Sequence, residues 1–192
     1  MKDYTVRRYL FEELGEEAKE RAITRMQNRL HEWIDEREIT DYLTGKLEEA
    51  IGGESELEIM YSLSYGQGDG VALYGRLYAK ECPNLTLPEG THHIELVKNS
   101  WANHYSHYNT FNVEAYDVDY EPIDLTGSVI EVQLRDLCKE LERAGYKYIE
   151  LATNRESAIS YLEENYGDEF SLDGYYDMPK GIVDEEALVS NS

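Results

Sequence analysis

The chain predicts an α+β fold, an antiparallel sheet of about four to five strands with N-terminal and C-terminal helices packed on one face. Three observations predict it. Apolar residues recur at helical spacing early in the chain and again after residue 128. Runs with a period of two lie between those stretches. The strands are grouped rather than alternated with helices, which argues against a parallel dinucleotide-binding sheet. The 192 residues suit one acidic domain over residues 1–174, with residues 175–192 expected to form a flexible acidic tail.

Tyr4 to Leu10 reads as a first strand. Phe11 to Trp33 reads as one amphipathic helix, with Ala18, Ala22, Ile23, Met26 and Leu30 on its apolar stripe. Glu12, Glu13, Glu16 and Glu17 suit the positive end of its dipole. Thr40 is placed to cap a second helix carrying Leu43, Leu47, Ala50 and Ile51, and Gly52-Gly53 ends it.

A hairpin follows. Leu57, Ile59, Tyr61, Leu63 and Tyr65 share one face of its first strand, and Val71, Leu73, Gly75, Leu77 and Ala79 share one face of its second. Paired residues point to the same side of a sheet, so both sets face one core only if the loop length is odd. A three-residue loop, Gly68-Asp69-Gly70, would pair Tyr65 with Leu73 and put Asp69 at an exposed tip beside Gln67. After a Pro/Gly connection over 82–91, strands are expected around His92 to Lys98 and Tyr108 to Tyr116. An acidic connection spans Asp117 to Thr126. Ser128 to Arg143 reads as a helix with Gly145 just past its end, and Ser157 as the cap of a last helix reaching Tyr166.

The charge narrows the function classes. Eighteen Lys and Arg stand against forty Asp and Glu, a formal net charge of −22. Such a chain repels nucleic acid and anionic membrane, so its electrostatic partner is basic. Duplex DNA carries one charge per ~1.7 Å, so these charges match ~37 Å of duplex. A globule of this length is ~42 Å across. Mimicry of nucleic acid is therefore physically feasible, beside the plain reading of a soluble surface. Seventeen tyrosines against three phenylalanines fit a half-buried sheet or a contact surface. Cys82 and Cys138 form no paired motif and read as reduced thiols. The N-terminal residues lack an apolar signal core, and no run approaches a membrane span. The expected compartment is the cytoplasm.

No motif names a reaction. The Gly66-Gln-Gly-Asp-Gly70 stretch is no phosphate loop, because a strand rather than a helix follows it. His104 and His107, with Tyr105 between them, could serve a metal-independent RNA or nucleotide phosphodiesterase. With His92, His93 and Asp69 they could also be arranged around a metal, but no ligand spacing supports that, and neither metal nor cofactor is expected. Candidate partner contacts are Gln67 and Asp69, Glu48 and Glu49, Asp117, Asp119 and Glu121, and Glu163 and Glu164, whose carboxylates suit Arg or Lys of a partner.

Four segments carry a resemblance. Phe11-Glu-Glu-Leu-Gly-Glu-Glu-Ala-Lys-Glu-Arg-Ala22 resembles the "FEELSxEAKExA" helix of a group of small phage and mobile-element proteins. Tyr61-Ser-Leu-Ser-Tyr-Gly-Gln-Gly-Asp-Gly-Val71 is similar to that group's "SLSYxQGDGx" hairpin. His104-Tyr-Ser-His-Tyr-Asn-Thr110 resembles its "YxHxxT" segment, and Tyr148 to Gly174 its C-terminal stretch ending in "FTxDG". The order matches, though Gly15 stands where Ser or Thr is usual and Gly66 where Ser or Cys is. The resemblance implies a genomic setting rather than an activity. By analogy with acidic phage accessory proteins, it implies an anti-defence role in a bacterial host. The leading expectation is an anti-CRISPR-type inhibitor whose partner is a basic nucleic-acid-binding protein such as a Cas nuclease or restriction enzyme. The alternatives are the phosphodiesterase and an antitoxin-like accessory protein. For self-association, an exposed hairpin favours it and like charge opposes it.

Overall fold

A computed structural model of the chain describes residues 8–102, 106–166 and 170–176. Five strands form one antiparallel sheet in the order β1-β2-β3-β4-β5, a meander in which chain neighbours are space neighbours. They are β1 (Glu58–Ser62), β2 (Gly70–Tyr78), β3 (His93–Lys98), β4 (Phe111–Tyr116) and β5 (Pro122–Ile123). Helices α1 (Glu16–Trp33) and α2 (Glu36–Ile51) precede the sheet, and α3 (Ile130–Thr153) and α4 (Arg155–Tyr166) follow it. This is the α+β class that the grouping of periods implies. The chain divides into two units, residues 1–34 with 150–192, and residues 35–149.

In the first unit α1 packs along α4. Its core joins Phe11, Leu14, Ala18, Ala22, Ile23 and Met26 to Ala158, Leu162, Phe170 and Tyr176. The helix does not start at Phe11. Phe11–Glu13 form a separate 3-10 turn in which the Glu13 carboxylate accepts the Leu10 N–H at 2.9 Å. Leu14 and Gly15 are extended, and α1 begins at Glu16. The break lets both Phe11 and Leu14 turn inward. Gly15 occupies the N-cap without a side chain to cap it, whereas a Ser or Thr at an N-cap supplies an accepting oxygen. Of the expected first strand, the described part makes one bridge, Tyr9 with Phe170, and residues 1–7 lie outside the described residues. Asn154, not Ser157, caps α4: its Oδ1 accepts the Ser157 N–H at 2.8 Å. The chain is held two residues beyond the expected fraying point. Tyr176 is buried, and the Arg25 guanidinium lies 3.8 Å over the Tyr175 ring. Residues 177–192 lie outside the described residues.

In the second unit Asp35, rather than Thr40, caps α2 by accepting the Arg37 N–H at 2.8 Å. Thr40 sits inside the helix and donates to the Glu36 carbonyl. Gly52 ends the helix in a left-handed conformation, as expected. Ile39, Leu43, Leu47 and Ile51 are buried. So are Val71, Leu73, Leu77, Ile94, Leu96, Phe111 and Ala115 of the sheet's inward face, and Ile130, Leu134, Leu137, Cys138 and Leu141 of α3. Burial pushes the Cys138 thiol up to about 12, which leaves it unreactive. Helix α3 does not stop before Gly145 but runs to Thr153. Gly145 is there for space: a β-carbon would lie 2.6 Å from Leu63 Cδ1. Strand β5 replaces part of the expected connection, pairing Ile123 with Ala115 and Pro122 with Tyr116 at a sheet edge that tolerates proline. Two residues are too few to show alternation in sequence.

The hairpin register pairs Ile59 with Leu73, Tyr61 with Val71 and Ser62 with Gly70. The loop is odd, as the apolar pattern requires, but it spans Leu63 to Asp69, seven residues rather than three. Leu63 is drawn toward Gly145, and Tyr65 stacks on Tyr146 of α3 at 4.3 Å, so neither extends β1.

Candidate functional site

Two segments singled out in the sequence meet. Gln67, Gly68 and Asp69 of the β1–β2 loop and Trp101, His107, Asn109 and Thr110 of the β3–β4 connection line an open cleft of about 480 Å³. Each wall is held by one ionic side chain that bonds to the backbone of that wall.

On the hairpin side that group is Asp69. It is half-buried and turned inward rather than displayed at the tip, which corrects the expectation from a short loop. Its Oδ1 accepts the Ser62 hydroxyl at 2.5 Å. Its Oδ2 accepts the Ser64 N–H and hydroxyl, both at 2.8 Å, and the Gly66 N–H at 2.6 Å. The Ser62 hydroxyl first, then the Gly66 N–H, hold the Asp69 carboxyl down at about 2. What the clamp displays is Tyr65 to Gln67, all exposed. Tyr65 is 75% exposed and has a left-handed φ of 60°, unusual for a bulky residue.

On the other wall the group is Arg135 of α3. It pairs with Glu131 and donates to the Tyr108 carbonyl, Asn109 Oδ1 and the Phe111 carbonyl. These bonds tie down residues 108–111 and explain why β4 starts at Phe111 rather than Tyr108. The Thr110 hydroxyl donates to the His107 carbonyl at 2.7 Å, so its oxygen accepts from Tyr74, also at 2.7 Å. His107 Nδ1 accepts the Asn109 N–H at 3.3 Å, so the neutral ring carries its proton on Nε2. Burial lowers the His107 pKa, with Glu142 opposing and Lys139 adding to the shift. Trp101, 63% exposed, completes the cleft. His104 and Tyr105 lie outside the described residues.

The remaining expected contacts fall elsewhere. Glu48 is half-buried, and Glu49 is paired with Lys46 at 2.8 Å. Asp117 closes the β4–β5 turn by accepting the N–H groups of Asp119 and Glu121, both at 2.9 Å, and leaves those two side chains exposed. Glu163 and Glu164 are exposed on α4, where Glu164 accepts the Ser160 hydroxyl.

Sequence reasoning missed a ring cluster on the outward face of the sheet. His93, 1% exposed, stacks on Tyr116 at 5.2 Å with Tyr78, His92 and Tyr120 around it. The signal was there, since Tyr78, His93 and Tyr116 are in register across three strands. Burial, then Arg76, lowers the His93 pKa. The unfolded chain thus binds the proton more readily, and stability from neutral His93 is full above its ordinary pKa of about 6.5. That stability is lost as pH falls through the lower folded value. Thermal melts of His93→Phe are expected to lose less stability than wild type between about pH 7 and pH 5. Identical pH profiles would refute a neutral His93.

Among the described residues no group of three or more His, Cys, Asp and Glu is placed to hold a metal ion, and no helix is long and apolar enough to cross a membrane. No protein-family model, curated protein or solved structure matches the chain.

Proposed function

We propose that the chain is an inhibitor of a bacterial nucleic-acid-targeting defence system, of the anti-CRISPR type. It binds a basic nucleic-acid groove through acidic and tyrosine-rich surfaces. The net charge of −22 carries this reading, because it favours a basic protein and disfavours nucleic acid itself. Exposed carboxylates such as Glu114, Asp119, Glu121 and Glu163 have no lysine or arginine partner among the described residues, so they are available to a partner's cations. The clamped loop supports it too, since a tip ordered in advance loses little entropy on docking.

Capture from cells expressing candidate Cas nucleases and restriction enzymes is expected to recover one of them. Expression in the host is expected to protect a targeted phage. Complex formation should weaken steeply as salt rises from about 0.1 M to 1 M, because the screening length falls from about 10 Å to 3 Å. Failure to capture any such enzyme, together with no protection, would refute the proposal. Salt-independent binding would refute the electrostatic mode.

The second reading is the phosphodiesterase, favoured by one observation: a neutral His107 with its proton on Nε2, in a cleft with Trp101. Replacing His107 by Ala separates the two. It abolishes turnover if the cleft is catalytic and leaves nuclease inhibition nearly unchanged if the surface acts by charge.

A further inference from the structure

The outward face of the sheet holds chemistry that the cleft does not use. Arg76, Glu95 and Glu114 stand in register across β2, β3 and β4, with Tyr78, His93 and Tyr116 beside them. Tyr120 leans over this row from the β4–β5 turn, 5.3 Å from the His93 ring and 58% exposed. Its φ of 64° is one that glycine suits better, yet a large ring is held there.

His93 floors the cluster. Its Nδ1 is 3.3 Å from His92 Nδ1. Its buried Nε2 has no hydrogen-bond partner and lies 3.7 Å from Glu95 Oε1. Glu95 is engaged by Arg76, whose guanidinium donates to Oε1 from Nε at 2.9 Å and from a terminal nitrogen at 2.5 Å. The same guanidinium lies 6.0 Å from the Tyr120 ring centroid. A carboxylate and a tyrosine ring thus already hold one guanidinium here. One strand over, Glu114 accepts the Tyr116 hydroxyl at 2.7 Å and pairs with no lysine or arginine among the described residues. Asp119 and Glu121 flank Tyr120 and are exposed.

We propose that this face docks arginine side chains of a basic protein partner, with Glu114 taking the guanidinium and the Tyr116 and Tyr120 rings stacking on it. The proposal rests on the reading of the chain as a binder of basic proteins. A guanidinium is flat and forked, and it can pair and stack at once, whereas an ammonium is a compact, strongly hydrated charge. The face therefore selects arginine over lysine at equal charge.

The test titrates an arginine nonapeptide and a lysine nonapeptide into the full chain, following backbone NMR shifts of Glu114, Tyr116 and Tyr120. The arginine peptide is expected to bind about fivefold tighter or more. Tyr120→Gly removes the ring at a position whose backbone suits glycine, so the fold is kept, and the preference is expected to vanish. Glu114→Gln should weaken arginine-peptide binding. Equal affinity of wild type for both peptides, or an unchanged preference in Tyr120→Gly, would overturn the proposal. A defence nuclease captured equally well by wild type and Tyr120→Gly would also overturn it, while leaving the inhibitor reading standing. Arginine preference without any nuclease capture would support this surface and sink the inhibitor reading.

Discussion

Replacing Gly174 by alanine is expected to destabilise the helical unit by about 2–5 kcal/mol, from two separable causes. The first is conformational. Gly174 has a φ of 79°, and an L-residue in that region costs roughly 1–2 kcal/mol. The second is space. A β-carbon there would lie 2.1 Å from the Ala18 carbonyl oxygen and 2.8 Å from its carbon. Those atoms are backbone of α1, so relief requires moving the helix or the turn, at a further 1–3 kcal/mol or so. The turn is well fixed: Gly174 donates to the Ser171 carbonyl, Ser171 to the Tyr175 carbonyl, and the Arg21 side chain to the Asp173 carbonyl. It also leads out of Phe170, which is fully buried. Gly90→Ala is the control. Its φ is 83°, but nothing lies within 4 Å of the added carbon, so only the first cost applies. Thermal denaturation should place Gly174→Ala several degrees below Gly90→Ala, at roughly 2–4 °C per kcal/mol. Equal losses would mean that the turn does not dock on α1.

That turn also marks where sequence reading works and where it stops. Helical spacing identified Ala18, Ala22, Ile23 and Met26 as one buried face, and they are buried. It did not reveal that Gly174 meets Ala18, because nothing local links residues so far apart in the chain. The hairpin shows the same division. Alternation alone required an odd loop, since a shift by one residue would turn every side chain over. Loop length depended on one carboxylate collecting four donors and on the distant Gly145 and Tyr146, none of which leaves a periodic trace. Helix caps failed for a more local reason. Asp35 and Thr40 are both good caps, and only the helix start decides between them. At the cleft, Gln67, Asp69 and His107 were each legible as unusual residues. Their meeting was not, because it is made by the β3–β4 connection folding onto the hairpin loop.

Asp69→Asn is expected to disorder the tip and weaken partner capture tenfold or more, with little effect on the rest of the sheet. A carboxylate accepts from every side, and here its four bonds come from the hydroxyl of Ser62 at the end of β1 and from the Ser64 hydroxyl and the Ser64 and Gly66 N–H groups of the loop. An amide offers one accepting oxygen, and its NH2 would face donors. Bonds to a charged acceptor are worth about 1.5–3 kcal/mol each when shielded, and less at this partly exposed position. The loss is local, but it falls on the segment that holds Tyr65 in a left-handed conformation and displays Gln67. The pH window follows from the sign of the shift. The folded carboxyl sits at about 2, below its ordinary 3.8. Its contribution is therefore complete above about pH 4 and lost as pH falls toward 2. Near neutrality the clamp is fully charged, so the tip should keep one structure across the whole physiological range. Hydrogen exchange at the Ser64 and Gly66 amides reads the clamp directly, and both should lose protection in Asp69→Asn. If both amides stay protected and capture is unchanged, the carboxylate neither orders the loop nor prepares it for a partner. If protection is lost but capture persists, the clamp is real and the partner is held through another surface, leaving the outward sheet face as the place to look.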